Sequence, residues 1–220
     1  MLKKIKLKNS TILLIGILIV CAGIILGCFE YFLDKKNKAF SEMNIMLYES
    51  EMPENIDSDE DKTEPLNPST EVEAPPIEAP VETKYDYVGI LEIPNINLKQ
   101  GFLDMSSRYN NVDYNITVIS GSTFPDKEKN NLILAAHSGI CSVCYFDNLY
   151  KLKLNDVAYI YYNNIKYTYK IVNIYEVEKN GTVAIYRDYS KNTLTLITCT
   201  RNSNTKQTVY ILELTNKTNY

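Results

Sequence analysis

Two side chains of this 220-residue protein are placed to exchange a proton: Cys199 and the sole histidine, His137. Cys199 closes the run TLTLITC, whose threonines interleave with Leu194, Leu196 and Ile197, a pattern expected of a strand with an apolar face. Asn202, Ser203 and Asn204 follow as turn formers, so the thiol sits at a strand's carboxyl end. His137 ends the apolar run LILAA and is followed by Ser138-Gly139, which gives it the same kind of place. Taken singly, a cysteine is most often a small apolar filler and a strand-end histidine a structural residue. Taken together they define a chemistry, because the strand ends of a closed sheet gather at one rim. A free thiol, with a pKa of about 8.5, is mostly protonated at neutral pH, and an imidazolium neighbour stabilises its thiolate. The same imidazole can then protonate a departing amine. Attack on a carbonyl also needs donors for the oxyanion, which Arg201 or nearby backbone N–H groups can supply.

A second pair stands close by. Cys141 and Cys144 form C-S-V-C just after the histidine, a spacing that suits a redox-active disulfide, half of a metal site, or two unmodified thiols. Zinc would require two further ligands, and the chain offers only His137 and Cys199, whose capture would silence the site. No metal or cofactor is expected.

The elements that must position these groups lie between Tyr85 and about Leu214. YVGILEIP, NITVISGS, NLILAAH, DVAYIYYN, IKYTYKIVNIYEV, TLTLITC and QTVYILEL are each β-branched or aromatic-rich and bounded by Asn, Gly, Pro or Asp. Asn163-Asn164 reads as a tight hairpin turn, and only DNLYKLKLND reads as a short helix or turn. An all-β fold of seven or eight strands with short helices follows, either a closed barrel or a sandwich.

The amino-terminal third reads differently. Ile12 to Phe29 is uncharged and apolar, close to the minimum for a membrane-crossing helix, and follows Lys3, Lys4, Lys6 and Lys8. Residues 1–10 are expected to form a cytoplasmic basic tail and 11–33 a single-pass signal anchor, with the rest outside the cell membrane. An A-x-A-like cleavage site is missing after the apolar run, and Ile25-Leu26-Gly27-Cys28 offers lipidation at Cys28 as the alternative to an uncleaved anchor. Twelve of the 27 acidic residues fall between Glu49 and Glu82 among prolines, so 34–84 is expected to be a disordered, semi-stiff stalk holding the domain of residues 85–220 off the membrane. Residues 35–48 are also compatible with a continuing helix. No basic run or interleaved aromatic stripe supports nucleic-acid binding.

The third segment resembles the catalytic domain of the sortases, membrane-anchored cysteine transpeptidases of Gram-positive bacteria. TLITC, from Thr195 to Cys199, matches the family's TLxTC signature and LILAAHSG its histidine motif, while YVGILEIPNINL and FDNLYKLKLNDVAYIYY resemble the segments at the start of the domain and after the histidine. The resemblance implies an eight-stranded β-barrel. It implies that Cys199 attacks an LPXTG-like sorting motif of secreted proteins, that His137 is the acid and base, and that Thr198 helps shape the oxyanion site. It further implies transfer to an amine of a peptidoglycan precursor or a pilin lysine, without a cofactor. The family's essential arginine has no counterpart at the start of the last strand, where Lys206-Gln207-Thr208 stands. Arg201 reaching back from the loop, a neutral hydrogen bond from Gln207 or the charge of Lys206 are the substitutes. The short segment from Tyr175 to Asn192 argues against the class with a long helical insertion there. A non-catalytic or impaired sortase-like surface binding domain and a tethered thiol oxidoreductase built on C-x-x-C are the alternatives.

Overall fold

A computed structural model describes residues 9–50 and 85–220. The basic tail through residue 8 and most of the acidic segment, 51–84, lie outside the described residues. One helix, α1 (Asn9–Ser50), precedes eight strands: β1 (Tyr87–Ile93), β2 (Leu98–Leu103), β3 (Thr117–Val118), β4 (Asn131–Ala135), β5 (Val157–Tyr162), β6 (Ile165–Glu178), β7 (Thr193–Cys199) and β8 (Lys206–Asn219). The strands form one sheet in the order β2-β1-β5-β6-β8-β7-β4-β3, and a parallel bridge from Phe102 to Ile116 brings its two edges together into a nearly closed barrel. Asn163 and Asn164 both adopt positive φ in the β5–β6 turn, as the two-residue hairpin requires. Asp147–Lys151 forms a short 3-10 helix within the expected DNLYKLKLND segment.

Alternation sorts the side chains into an inside and an outside. Leu132, Leu134, Leu194, Leu196, Tyr210 and Leu212 face the barrel's interior core, whereas Ile133, Ile197, Val209 and Ile211 form an outer cluster covered by Val183 and Ile185 of the β6–β7 connection. β4 and β7 are therefore covered on both faces, which explains the apolar run of β4 and the burial of β7 on both sides. They pair in parallel, Asn131 with Thr193 through Ala135 with Ile197. The side chain of Asn131 locks this register by accepting hydrogen bonds from the hydroxyls of Thr193 (3.0 Å) and Thr195 (2.8 Å). At the same end Arg187 donates to the carbonyl of Asn130 and to the Thr193 hydroxyl.

β2 escapes the alternation rule because LKQGFL places Gln100 and Gly101 mid-strand. Gln100 is buried and satisfied by Tyr87, Asn115 and Ser41, and a Cβ on Gly101 would overlap the Tyr87 ring, so the polar and achiral residues are what this packing demands.

The helix also departs from the expected layout. From Leu14 to Leu33 its described side chains are exposed, and it is long and apolar enough to cross a membrane. Beyond that it continues through residues that composition grouped with the stalk and docks on β1 and β2. Ile45 joins Tyr87, Ile90, Leu103 and Tyr161 in a second apolar cluster; the Ser41 hydroxyl donates to Gln100 (2.5 Å), and the Tyr48 hydroxyl donates to the Val88 carbonyl (3.2 Å). The Tyr85 amide meets Asn44 at 3.2 Å, only six residues short of the helix end at Ser50. Six residues are about 9 Å of helix. The described residues on either side of 51–84 therefore lie close together, and α1 runs straight from its apolar stretch onto the barrel.

Two outcomes test this packing. Asn131→Ala strips Thr195 of its hydrogen-bond acceptor in a buried setting and should cost about 1–3 kcal/mol, read from the urea midpoint. Burial pushes the hydroxyls of Tyr48 and Tyr210 up to about 12. Because these folded values lie above the ordinary value, the contribution of the neutral phenols is complete below about pH 10 and is lost as pH rises from 10 towards 12. Circular dichroism across that window should show alkaline unfolding, with Tyr48→Phe moving it upward.

Candidate active site

The parallel pairing carries the site. Continuing the register two residues past Ala135 and Ile197 puts His137 beside Cys199, on adjacent chains about 5 Å apart and with the same outward parity. Three hydrogen bonds hold the pairing to its end. The Ala136 amide donates to the Ile197 carbonyl (3.4 Å), the Thr198 hydroxyl to the Ala136 carbonyl (2.9 Å), and the Ser138 hydroxyl to the Cys199 carbonyl (2.9 Å). On the other side, Cys199 lies directly opposite Gln207 of β8, which in turn lies opposite Val177 of β6. One row therefore crosses four strands at a single rim: His137, Cys199, Gln207, Val177.

A cleft of about 610 Å³ opens over this rim. Its lining includes Thr198, Cys199, Arg201, Lys179, Tyr150 and Tyr210; His137 and Gln207 stand in the row but do not line it. The Arg201 guanidinium lies over the Tyr150 ring, 4.0 Å from its centroid, so it is held across the cleft. The Thr198 hydroxyl is engaged in tying β7 to β4, so its side chain is a strut of the site. Burial keeps the Tyr210 phenol neutral well past the ordinary range.

Two charged partners have no signal in the sequence. Asp113 lies in the loop before β3, 24 residues upstream of the histidine, and its carboxylate is 3.3 Å from the His137 Nε2. Lys179 follows β6 two residues after Val177, with the parity that brings it back to the same face, and its ammonium is 3.7 Å from the Cys199 sulfur. A cation that meets the thiol thus comes from the residue just after β6, while the neutral Gln207 stands opposite on β8.

Cys141 and Cys144 are joined in a disulfide. Bonded to each other, these sulfurs are not metal ligands. They sit in the loop between β4 and β5, outside any strand-to-α-helix turn of the kind that C-x-x-C oxidoreductases use. Cys199 is free, as are Cys21 and Cys28 on α1. Between β6 and β7, residues 179–192 contain no helix.

The family model for the sortase domain matches residues 91–214, more than half of the chain. The chain belongs to the sortase family. It is 28% identical over 116 residues to Sortase A of Bacillus anthracis, which is 53% of this chain and 53% of that one. It therefore spans about half the length of that curated relative. Among solved structures, sortase A of Listeria monocytogenes superposes with a TM-score of 0.52 at 21% identity, covering 61% of this chain and 90% of the other. A lid mutant of sortase A from Corynebacterium diphtheriae gives 0.54 at 22% identity, covering 62% and 74%. A sortase D5 transpeptidase of Clostridium perfringens gives 0.51 at 21%, covering 60% and 80%. At these identities the superpositions show a common fold, the sortase barrel.

The contact of Lys179 with the sulfur has a measurable consequence. Replacing it with methionine should slow alkylation of Cys199 by iodoacetamide at neutral pH by roughly threefold to tenfold, while Lys179→Arg stays near the parent rate. Equal rates in all three would remove Lys179 from the site.

Proposed function

We propose that this sortase-family protein is a cysteine transpeptidase that cleaves an LPXTG-like sorting motif of secreted proteins and passes the acyl chain to an amine. The observation that carries this reading is the parallel register of β4 and β7, which directs the sole imidazole and the free thiol of the barrel to the same strand ends, with the thiol lining an open cleft.

In this reading the Cys199 sulfur bonds to the carbonyl carbon of the scissile peptide. Arg201, poised over Tyr150, donates to the oxygen on which charge develops, with Gln207 as a neutral donor alongside. His137 gives its proton to the departing amine, and Asp113 positions the ring for that transfer. The incoming amine, from a peptidoglycan precursor or a pilin lysine, attacks the thioester and loses its proton to His137, and the sulfur is released. Lys179 faces the sulfur whenever it is anionic. Every step uses side chains of the barrel rim and requires no cofactor. The N-terminal helix suits a single-pass anchor, with Lys3, Lys4, Lys6 and Lys8 inside the cell and the catalytic domain outside.

The decisive experiment offers the full chain, in detergent micelles, a library of fluorogenic sorting peptides with hydroxylamine as the acceptor. Hydroxamate formation is expected with a subset of peptides. Cys199→Ala and His137→Ala should abolish it, and Arg201→Ala should lower turnover about 100-fold. Absence of both turnover and a thioacyl adduct at Cys199 across the library would overturn the assignment in favour of a binding domain.

A further inference from the structure

The acyl-transfer reading leaves two features of the loop after His137 without a task. Ile140 is fully exposed at its tip, and the disulfide beside it holds the loop in shape. The loop is fastened at its base as well, since the Phe146 amide donates to the His137 carbonyl (3.0 Å) and the Gly139 amide to the Asp147 carboxylate (3.1 Å). A surface that keeps a large aliphatic side chain in water on a stiff support is arranged for contact rather than for packing within the chain.

What it contacts follows from where α1 runs. Ser142 and Tyr145 of the loop share a crevice of about 220 Å³ with Asn37, Lys38, Ser41 and Glu42 of the helix. Leu33 closes the apolar stretch, so these helix residues stand about 6–14 Å beyond it along the axis. The polar layer on each side of a bilayer is about 5–8 Å thick, and an ordinary helix tilt shortens this height only slightly. Ser142 and Tyr145 therefore lie at the outer edge of the headgroup layer, within reach of a level that suits a tyrosine. Ile140 is two residues from Ser142, within about 7 Å of chain. Residues 138–145 carry no charged side chain, so the loop's own contribution to the contact is the apolar Ile140, while Lys35 and Lys36 stand exposed on the helix.

We infer that the disulfide-closed loop 138–145 rests on the phospholipid surface of the same bilayer that holds α1, with Ile140 inserted at the boundary between headgroups and acyl chains. This inference rests on α1 being a membrane helix and is independent of the acyl-transfer chemistry. Because Ile140 also lines the cleft that holds Cys199, it places one lip of that cleft on the membrane.

The chain has no tryptophan, so Ile140→Trp introduces a single reporter. The full-length variant is reconstituted into phosphatidylcholine–phosphatidylglycerol vesicles with and without brominated acyl chains. Expected are a blue-shifted emission, its loss to the brominated lipid, and insensitivity of both to salt. Tyr189→Trp, placed before the far end of β7, should emit as in water and escape quenching. A chain that fails to float with the vesicles overturns the anchor and the inference with it. A floating Ile140→Trp chain whose indole emits as in water overturns the loop contact alone. Emission that responds to an added sorting peptide but not to brominated lipid assigns Ile140 to substrate and likewise overturns it.

Discussion

The parallel pairing of β4 with β7 is the constraint on which the rest of this molecule depends. His137 and Cys199 are 62 residues apart in sequence and become neighbours only because these two strands run side by side in one register. A slip by one residue would send one of the two side chains to the barrel interior. The register is held from both ends: by Asn131 with Thr193 and Thr195 at the start, and by Thr198 and Ser138 at the rim. Both threonines of TLITC are thus explained by strand alignment. Thr195 binds β4 at one end of the motif and Thr198 binds it at the other, and the cysteine is carried between them and its partner on β8.

Much of this was legible in the chain. Seven of the eight strands announce themselves by β-branched, alternating or wholly apolar runs, and the two strand-end residues were identifiable by position and by family motif. β2 was not, because its buried Gln100 and its Gly101 answer to a helix and a tyrosine ring that are distant in sequence. Asp113 and Lys179 were hidden for the same reason. One is a loop acid among turn formers and the other a lysine among many, and only the fold gives them a histidine and a sulfur to face. Composition left 35–48 open between stalk and continuing helix, since polar residues after an apolar run look like linker until a docking surface is known. It also left the C-x-x-C pair open among three chemistries, because nothing in spacing alone decides whether two sulfurs bond.

The row across the rim sets a neutral side chain beside the sulfur and the cations around it. Gln207 stands opposite Cys199, and a residue there shares its face with the sulfur. The next strand over, β6, extends past the row and returns a lysine to the same spot, while Arg201 is drawn aside onto Tyr150. Positive charge at the site is therefore divided between two loops, one after β6 and one after β7. The Lys179 amide donates to the Thr205 carbonyl (2.6 Å), so the two loops are tied to each other.

The docking of α1 bears on how this protein is handled in isolation. Ile45, Ser41 and Tyr48 cover a wall formed by Tyr87, Ile90, Leu103 and Tyr161, and Gln100 loses one of its partners if the helix goes. Trimming the chain to its barrel for the sake of solubility would amputate part of the fold together with the apolar stretch of α1, baring a greasy flank and an orphaned amide oxygen. Such a fragment would behave as a half-finished surface seeking a substitute for the missing helix, and a second copy of itself would be the nearest candidate.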